Sequence, residues 1–446
     1  MTKVQLRTEV PGPRSREIVA REQAHLAPGL QGFALWAGVA MEKGEGSLLT
    51  DADGNVFVDL IGGIGVNALG HCHPRQVAAL QAQAAKLTVG SFTSAPRAEL
   101  VNAVCAMAPP GLDRLQLYSS GAEAVESALR LARQFTGRRE LVGFWGAFHG
   151  KTAGAAALMG TPARADFGPL PSGAALTPYA DCYRCPLGLT YPSCGLACAE
   201  LARGAIRRGG AGPVAAVVAE PMQGTAGNVI PPREFLPAIA EAAHEAGALF
   251  VADEMITGFG RTGKPWGVDH TGARPDVVTL GKAFGSGFPI SGVLTRTEIA
   301  QARPWANPSG ASSSYGGNAL AAAAALASVT TIRDERLWDN AEFVGARMLD
   351  ELRRMQERHP FIGDVRGAGL FLGVELVKDK RTREPLDAAV TQALYGECVR
   401  RGLLAMVYTP HVRLQPALTI DEPTALEGLA ILDEAFTWLR EGGRWR

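Results

Sequence analysis

The segment LFVADEMITG, residues 249–258, decides the fold class of this chain of 446 residues. Its first four residues are apolar and predict a short buried strand, which ends at the acidic pair Asp253-Glu254. Short apolar runs of the same kind recur at residues 141–144, 214–218 and 277–280. Because helical stretches separate these runs, we predict an α/β fold with a mainly parallel sheet and helices on both faces.

A change in the pattern near residue 330 predicts a second, smaller α+β domain. A charged amphipathic helix is followed there by a strand-rich segment at 361–377 and by a helix near 388–401. We expect the N-terminal segment, residues 1–65, to join this small domain. The predicted domains are therefore 66–330 for the large one and 1–65 with 331–446 for the small one.

Composition and charge exclude several classes of function. Hydrophobic residues make up 47% and charged residues 20%, so the chain is not a disordered one. Lys+Arg and Asp+Glu are both 44, and this balance argues against nucleic acid or an anionic membrane as a partner. Residues 1–30 hold no apolar core of a secretory signal, and no apolar run approaches the roughly 20 residues of a membrane span. We expect a cytoplasmic protein.

Two glycine-containing segments indicate a site for an anion and a flat ring. In the first, Ser120-Gly121 ends an apolar stretch and begins a helix, where free backbone N–H groups bind phosphate. An ordinary Ser helix cap would look the same. In the second, residues 144–152, Phe148 or His149 follows a strand at the edge where open α/β sheets bind ligands. The alternative there is simple core packing.

Two charged residues that follow apolar strands complete the pattern. Asp253 ends one strand, and a carboxylate in such a place needs a cationic partner such as a protonated ring nitrogen. Lys282 follows the strand at 277–280, and a lysine in an apolar site is a good nucleophile for a carbonyl. Each alone has a plain alternative, a turn cap or a solvated lysine. Together the four signals suggest pyridoxal 5′-phosphate (PLP) as cofactor.

The sequence resembles the class III (ω-type) aminotransferases, which are PLP enzymes of fold type I with a seven-stranded sheet in the large domain. The resemblance extends in order from about residue 30 to 440. The matching stretches are residues 51–74, 120–133, 148–152, 220–224, 253–263, 281–282 and 314–318, with Arg413 near the end. Such an ordered set is specific for the family and does not identify a substrate.

The resemblance implies a role for each matching residue. Lys282 would form a Schiff base with the cofactor and act as the catalytic proton carrier, and Asp253 would keep the ring nitrogen protonated. Arg413 would bind the substrate carboxylate. The remaining cofactor-binding residues would be Ser120, Gly121, Ala122, Phe148, His149, Glu220, Met255 and Ser314. Ser314 would reach the phosphate of the other subunit, so the resemblance implies a homodimer with shared active sites.

The substrate end departs from the family pattern. Many glutamate-using members have a Glu that switches the substrate arginine, and Thr225 stands in its place. Ile256 stands where some members have a Gln, which resembles the ω-amine:pyruvate branch. Lys151 and Ile64 are further candidates for substrate contact, and Lys151 is equally well explained as a solvated lysine.

The predicted activity is amino transfer from a primary or ω-amine or an amino acid to a 2-oxo acid, with ping-pong kinetics. The alternative is another PLP reaction on the same scaffold: racemisation, amino migration, decarboxylation or elimination. The absence of the switch Glu at Thr225 gives that alternative some weight.

Four cysteines stand within 17 residues at positions 182, 185, 194 and 198. Four thiolates at such spacing are one way to hold a structural zinc ion. Disulfides and free thiols are the other two alternatives. The PLP assignment does not need the metal.

Overall fold

The computed structural model describes residues 2–408 and 410–446. The chain forms two compact units, one made of the residues up to Pro74 together with Leu337–Arg446 and the other of Arg75–Arg336. The chain passes between the units at 74/75 and 336/337, whereas the sequence analysis places domain boundaries at 65/66 and 330/331. The first unit is therefore built from both ends of the chain.

The N-terminal part of the first unit is mainly a small antiparallel sheet. Its elements are α1 (Pro13–Gln23), α2 (Gly32–Ala37), β1 (Met41–Glu45), β2 (Leu48–Asp51), β3 (Val56–Asp59) and the single turn α3 (Gly62–Gly65). The tight link between β2 and β3 is held by Asp51, whose Oδ1 accepts from Asp53 N at 2.9 Å and from Asn55 N at 2.8 Å. This side chain replaces backbone partners that a turn cannot supply.

The second unit alternates strands and helices. Its strands are β4 (Arg114–Tyr118), β5 (Glu140–Phe144), β6 (Ala174–Thr177), β7 (Val214–Ala219), β8 (Leu249–Asp253), β9 (Val277–Leu280) and β10 (Ser291–Thr295). Its helices are α4 (Pro74–Ala84), α5 (Ala95–Ala106), α6 (Gly121–Thr136), α7 (Ala153–Ala157), α8 (Ala197–Arg208), α9 (Phe235–Glu245), α10 (Thr297–Ala300) and α11 (Ala319–Asp334). Short 3₁₀ turns lie at Pro162–Phe167, Gly267–His270 and Lys282–Phe284.

The seven strands form one sheet in the order β4-β10-β9-β8-β7-β5-β6. Within this seven-stranded sheet, β10 runs opposite to the other six strands. The strands β5, β7, β8 and β9 are buried along their whole length. Burial on both faces explains why the sequence shows continuous apolar runs there instead of alternation. The predicted α/β class with a mainly parallel sheet is confirmed.

Helix α6 begins and ends where its sequence dictates. The Ser120 side chain accepts from Glu123 N at the start, and Gly137 ends the helix in a left-handed conformation. Between these caps, one face of the helix is buried against the sheet. The residues of that face are Ala124, Val125, Ala128, Leu129, Leu131 and Ala132. The N-terminus of α6 is thus fixed just beyond the end of β4.

The C-terminal part of the first unit contains α12 (Leu337–Arg358), β11 (Ile362–Ala368), β12 (Phe371–Leu376), α13 (Ala388–Arg400), β13 (Leu403–Leu404), β14 (Met406–Tyr408), β15 (His411–Leu414) and α14 (Glu422–Glu441). Two four-stranded sheets result, β1-β2-β3-β13 and β11-β12-β15-β14. The strand β13 pairs in parallel with β3, so the two ends of the chain share one sheet.

Among the described residues the longest helix is α12, with 22 residues and many charges. Within this described part, no helix combines the length and the apolar composition that crossing a membrane requires.

We expect Phe250→Ala to destabilise the protein by about 3–5 kcal/mol, because Phe250 is 0% exposed at the middle of β8 and its loss leaves a cavity. The matched control is Phe343→Ala, since Phe343 is 53% exposed on α12; its cost is expected to be under about 1 kcal/mol. Urea denaturation followed by circular dichroism measures both. Equal midpoints for the two variants would contradict the assigned core.

Candidate active site

The predicted site residues of the second unit follow neighbouring parallel strands. Phe148 and His149 come after β5, Glu220 comes directly after β7, Asp253 is the last residue of β8, and Lys282 comes one glycine after β9. The carboxyl ends of parallel strands lie at one edge of a sheet, where open α/β folds bind ligands. The structure therefore brings these five residues to the same edge.

Asp253 is a buried carboxylate with three hydrogen-bond partners. Its Oδ2 lies 2.6 Å from His149 Nδ1, and its Oδ1 accepts from Thr279 Oγ1 at 3.0 Å and from Met255 N at 3.1 Å. The Asp253 and His149 side chains are 1% and 0% exposed. A carboxylate offers about four acceptor positions, so one more donor, such as a protonated ring nitrogen, fits this group.

The charge on His149 is set by its neighbours. Burial alone would lower the pKa of His149, but the hydrogen bond and charge of Asp253, together with the charge of Glu220, outweigh burial and raise the pKa. The positive charge of Lys282 opposes this rise. The environment thus favours the imidazolium form, which donates to the Asp253 carboxylate.

Glu220 fixes the backbone of the segment that contains Phe148. Its Oε1 accepts from Phe148 N at 3.1 Å, and its Oε2 accepts from Gly224 N at 2.9 Å. Burial raises the pKa of Glu220; the charge of His149 opposes this, and the charge of Asp253 adds to it. Glu220 is therefore a positioning group, as the resemblance implies, with both oxygens in use.

Lys282 has a strained backbone. Its φ is +47°, in the left-handed region that residues with a side chain rarely occupy. A Cβ placed on the preceding Gly281 would lie 2.7 Å from Met255 Sδ, so only glycine lets Met255 come this close. Strain of this kind costs of order 1–3 kcal/mol and persists at functional sites.

The N-terminus of α6 has the arrangement of an anion cradle, meaning a set of free N–H donors that can bind a negative group. Ser120 Oγ accepts from Glu123 N at 3.3 Å, and the Glu123 carboxylate accepts from Ser119 N at 2.9 Å. The first N–H groups of the helix, on Gly121 and Ala122, have no partner within a helix. These donors face outward along the helix axis, where the helix dipole favours a negative group.

The residues at this edge of the sheet fit PLP. Two buried polar atoms here, His149 Nε2 and Ser119 Oγ, have no hydrogen-bond partner in the described part of the chain. Such orphan atoms cost roughly 1–3 kcal/mol each and indicate a bound polar group. An aldehyde-reactive lysine, a buried acceptor for a ring nitrogen and a helix N-terminus for a phosphate are all present.

The other predicted residues of the second unit lie at its surface. Ser314 is exposed in the segment between α10 and α11. Lys151 and Thr225 are exposed as well. Exposure leaves these three side chains accessible to a substrate or to another chain.

Ile64 and Arg413 belong to the first unit. Ile64 has a φ of +68° inside the turn α3, which is rare for a β-branched residue. Asp59 Oδ1 stabilises the turn by accepting from Ile61 N at 2.9 Å and Gly62 N at 3.0 Å. Arg413 lies on β15 with 8% exposure, and its Nη2 lies 2.6 Å from Met406 Sδ.

The four clustered cysteines, Cys182, Cys185, Cys194 and Cys198, are free thiols that line one small cavity. Burial, with the three neighbouring cysteines, raises the pKa of Cys182 to about 11. Within residues 2–408 and 410–446, no group of three or more His, Cys, Asp or Glu side chains is arranged to hold a metal ion. The structure thus shows four free thiols around one cavity.

The sequence analysis missed three hydroxyl groups of the site. Thr279 donates to Asp253, Ser291 Oγ donates to Ser120 O at 2.6 Å, and Ser119 carries the orphan hydroxyl. Thr279 pairs with Asp253 across β8 and β9. A threonine in a strand is ordinary, and only the register between the strands would have revealed this partner.

The chain matches the class III aminotransferase family over residues 34–436. It is 34% identical over 417 residues to leucine/methionine racemase of Thermococcus litoralis, covering 91% of this chain and 92% of the relative. It is 35% identical over 448 residues to 4-aminobutyrate aminotransferase of Mycobacterium leprae, covering 96% and 97%. An amine transaminase from an uncultivated Pseudomonas species, solved in the PLP-bound form, superposes with a TM-score of 0.87 at 30% identity over 93% of this chain and 98% of that one.

The raised pKa of His149 predicts a pH-dependent stability. Because the folded protein binds this proton more tightly than the unfolded chain, the stabilisation is complete below the unfolded pKa of about 6.5 and is lost as the pH rises through the folded pKa. We expect the urea midpoint of the apoprotein to fall between about pH 6 and pH 9 by more than in His149→Asn. An equal fall in both proteins would contradict the charged pair.

Proposed function

The chain belongs to the class III aminotransferases, and we propose which of its residues act on the cofactor and on the substrates. The protein is a PLP-dependent enzyme that transfers an amino group from an amine or amino acid to a 2-oxo acid. Within this activity we propose a primary or ω-amino compound as donor and two alternating half-reactions.

One observation supports the proposal most strongly. Lys282, Asp253, Glu220 and His149 follow four parallel strands of one sheet and lie at the same edge. Asp253 and His149 are buried and bonded to each other, while Lys282 is close enough for its charge to act on His149. A half-buried lysine beside a buried carboxylate suits a cofactor with an aldehyde and a basic ring.

When bound, PLP supplies an aldehyde that reacts with amines and a ring that accepts electron density. Lys282 Nζ provides the amine that holds the cofactor, and it carries the proton at the substrate carbon that bears the amino group. Asp253 holds a proton at the ring nitrogen, with His149 stabilising the carboxylate behind it. Phe148 and Met255 would hold the ring of the bound cofactor from its two faces.

The phosphate is proposed to bind at the start of α6, on Ser120, Gly121 and Ala122. Ser314 is proposed to reach the phosphate in the partner subunit of a homodimer, and its exposure supports this role. The PLP-binding domain is proposed to be residues 66–330. We propose a cytoplasmic enzyme.

The substrate carboxylate is proposed to bind to Arg413, since a guanidinium holds a carboxylate through two parallel hydrogen bonds. Ile64 is proposed to line the substrate pocket, and its strained turn supports a functional role. Thr225 is proposed to replace the switching Glu of relatives, so that Arg413 serves the keto acid alone. Lys151 is proposed as a contact for a distal anionic group.

A second candidate activity is racemisation. The leucine/methionine racemase of Thermococcus litoralis covers 91% of this chain at 34% identity. The same proton transfers at the substrate carbon support both reactions, so the two differ only in where the proton returns. Only amino transfer consumes a 2-oxo acid, so measuring its consumption distinguishes the two reactions.

We expect the wild-type enzyme, mixed with a primary amine and no 2-oxo acid, to lose its visible cofactor absorbance once per site and then stop. Adding a 2-oxo acid should restore the absorbance, because the second half-reaction then runs. Continued turnover of an amino acid without a 2-oxo acid would instead indicate racemisation.

We expect Lys282→Ala to fold normally and to lose turnover by at least about 10²–10⁴-fold. This is the contribution that a positioned proton carrier makes to the rate. Lys264→Ala, at an exposed lysine of the same unit, is the control and should keep full activity. Normal turnover in Lys282→Ala would show that another residue is the nucleophile.

We expect Arg413→Ala to raise the KM for the 2-oxo acid by about 10–100-fold, since hydrogen bonds to charged groups contribute roughly 1.5–3 kcal/mol. The KM for a neutral amine donor should stay within a factor of two or so, because that donor has no carboxylate. Steady-state kinetics with each substrate varied separately measures both constants. An equal rise in the KM values of the 2-oxo acid and of the amine donor would argue against a role of Arg413 in binding the carboxylate.

A further inference from the structure

We infer that Glu126 is a positioning residue that fastens the ring-holding loop, residues 145–152, to the phosphate-binding end of α6. This inference rests on the proposed function, since it assigns the two ends of the cofactor to these two segments. Glu126 lies on α6, one turn after Ala122, and the loop follows β5. The link is made by the side chain of Glu126 and by the packing of Gly150.

Glu126 accepts three hydrogen bonds at the end of the loop. Its Oε1 accepts from Thr152 Oγ1 at 2.7 Å, from Gly154 N at 2.7 Å and from Ala155 N at 3.2 Å. The two N–H groups belong to the first turn of α7, where no partner exists within the helix. One carboxylate on α6 therefore caps α7 and holds the hydroxyl of the last loop residue.

The chain is shaped to let this carboxylate approach. A Cβ on Gly154 would lie 2.3 Å from Glu126 Oε2 and 2.9 Å from Oε1, distances that nonbonded atoms do not reach. A Cβ at position 154 would displace the Glu126 carboxylate from this position. All three hydrogen bonds are accepted by the single charged oxygen Oε1, and hydrogen bonds to a charged acceptor are stronger than those between neutral groups.

A second contact joins the same loop to the same helix face. Gly150 has a φ of +132°, and a Cβ there would lie 2.7 Å from Ala122 Cβ. Ala122 and Glu126 are four residues apart and so share one face of α6. Because Ala122 supplies an N–H of the anion cradle, the loop lies directly against the proposed phosphate site.

The loop is also held at Phe148, the proposed ring-stacking residue. Phe148 N donates to Glu220 Oε1 at 3.1 Å. Phe148 is therefore fixed from one side by Glu220 and from the other by Gly150 and Glu126. These contacts set the distance between the proposed ring-stacking side chain and the helix end that binds the phosphate. Loosening the Glu126 link should weaken the hold on the cofactor and leave its chemistry in place.

The experiment is a titration of apoenzyme with PLP, followed by visible absorbance. We expect Thr152→Val, which removes one donor at constant size, to raise the PLP dissociation constant about 3–10-fold. Thr152→Ser keeps the hydroxyl and should restore wild-type binding. Glu126→Ala should raise the constant about 10–100-fold. Glu99→Ala, at an exposed carboxylate on α5, is the control and should bind PLP as the wild type does.

The melting temperature of each apoenzyme separates positioning from plain stability. Lowered melting with unchanged PLP affinity in Glu126→Ala would overturn the inference, as would equal affinities for Thr152→Val and Thr152→Ser. In either case the wild type would still bind PLP and the proposed function would stand. If the wild type itself binds no PLP, the proposed function fails, and this inference fails with it.

Discussion

The buried carboxylate of Asp253 is the constraint on which the rest of the site depends. An unpaired carboxylate at 1% exposure would bind a proton or destabilise the fold by several kcal/mol. Three donors from three different parts of the chain prevent this: the ring of His149, the hydroxyl of Thr279 and the backbone N–H of Met255. Each donor fixes a neighbour of the cofactor site, so stabilising one charge orders much of the catalytic edge.

The parallel sheet places these neighbours side by side, because the ordered strands already fix where each of them lies. Four successive positions in the sheet, β9-β8-β7-β5, end beside one another, and each is followed by a residue of the site. Because all four strands are buried on both faces, their ends do not move independently. The polar groups therefore lie where rigid strands stop, and the loops beyond them are tied back by Glu220 and Glu126.

The sequence predicted the fold correctly where a local pattern of residues determines the structure. Continuous apolar runs predicted buried strands. Asp253 and Lys282 were recognised at the ends of these runs because a charged side chain beside a buried strand is costly unless it has a partner or a function. The partner Thr279 was not predicted, because its role depends on the register between β8 and β9. The cysteine spacing left three alternatives open, because spacing alone does not show that the four thiols line one cavity. The role of Glu126 depends on a contact between segments 26 residues apart.

Backbone strain is present at two of the residues that the family resemblance selects. Lys282 at φ +47° and Ile64 at φ +68° are both in the left-handed region, where a side chain costs of order 1–3 kcal/mol. Neighbouring hydrogen bonds hold each in place: Lys282 O accepts from Gly285 N and Ser286 N, and the N–H groups of Ile61 and Gly62 donate to Asp59 at the start of the Ile64 turn. Glycine would adopt this conformation at a lower cost. The proposed contacts, of Lys282 with the cofactor and of Ile64 with the substrate, would give these two side chains a role that glycine could not fill.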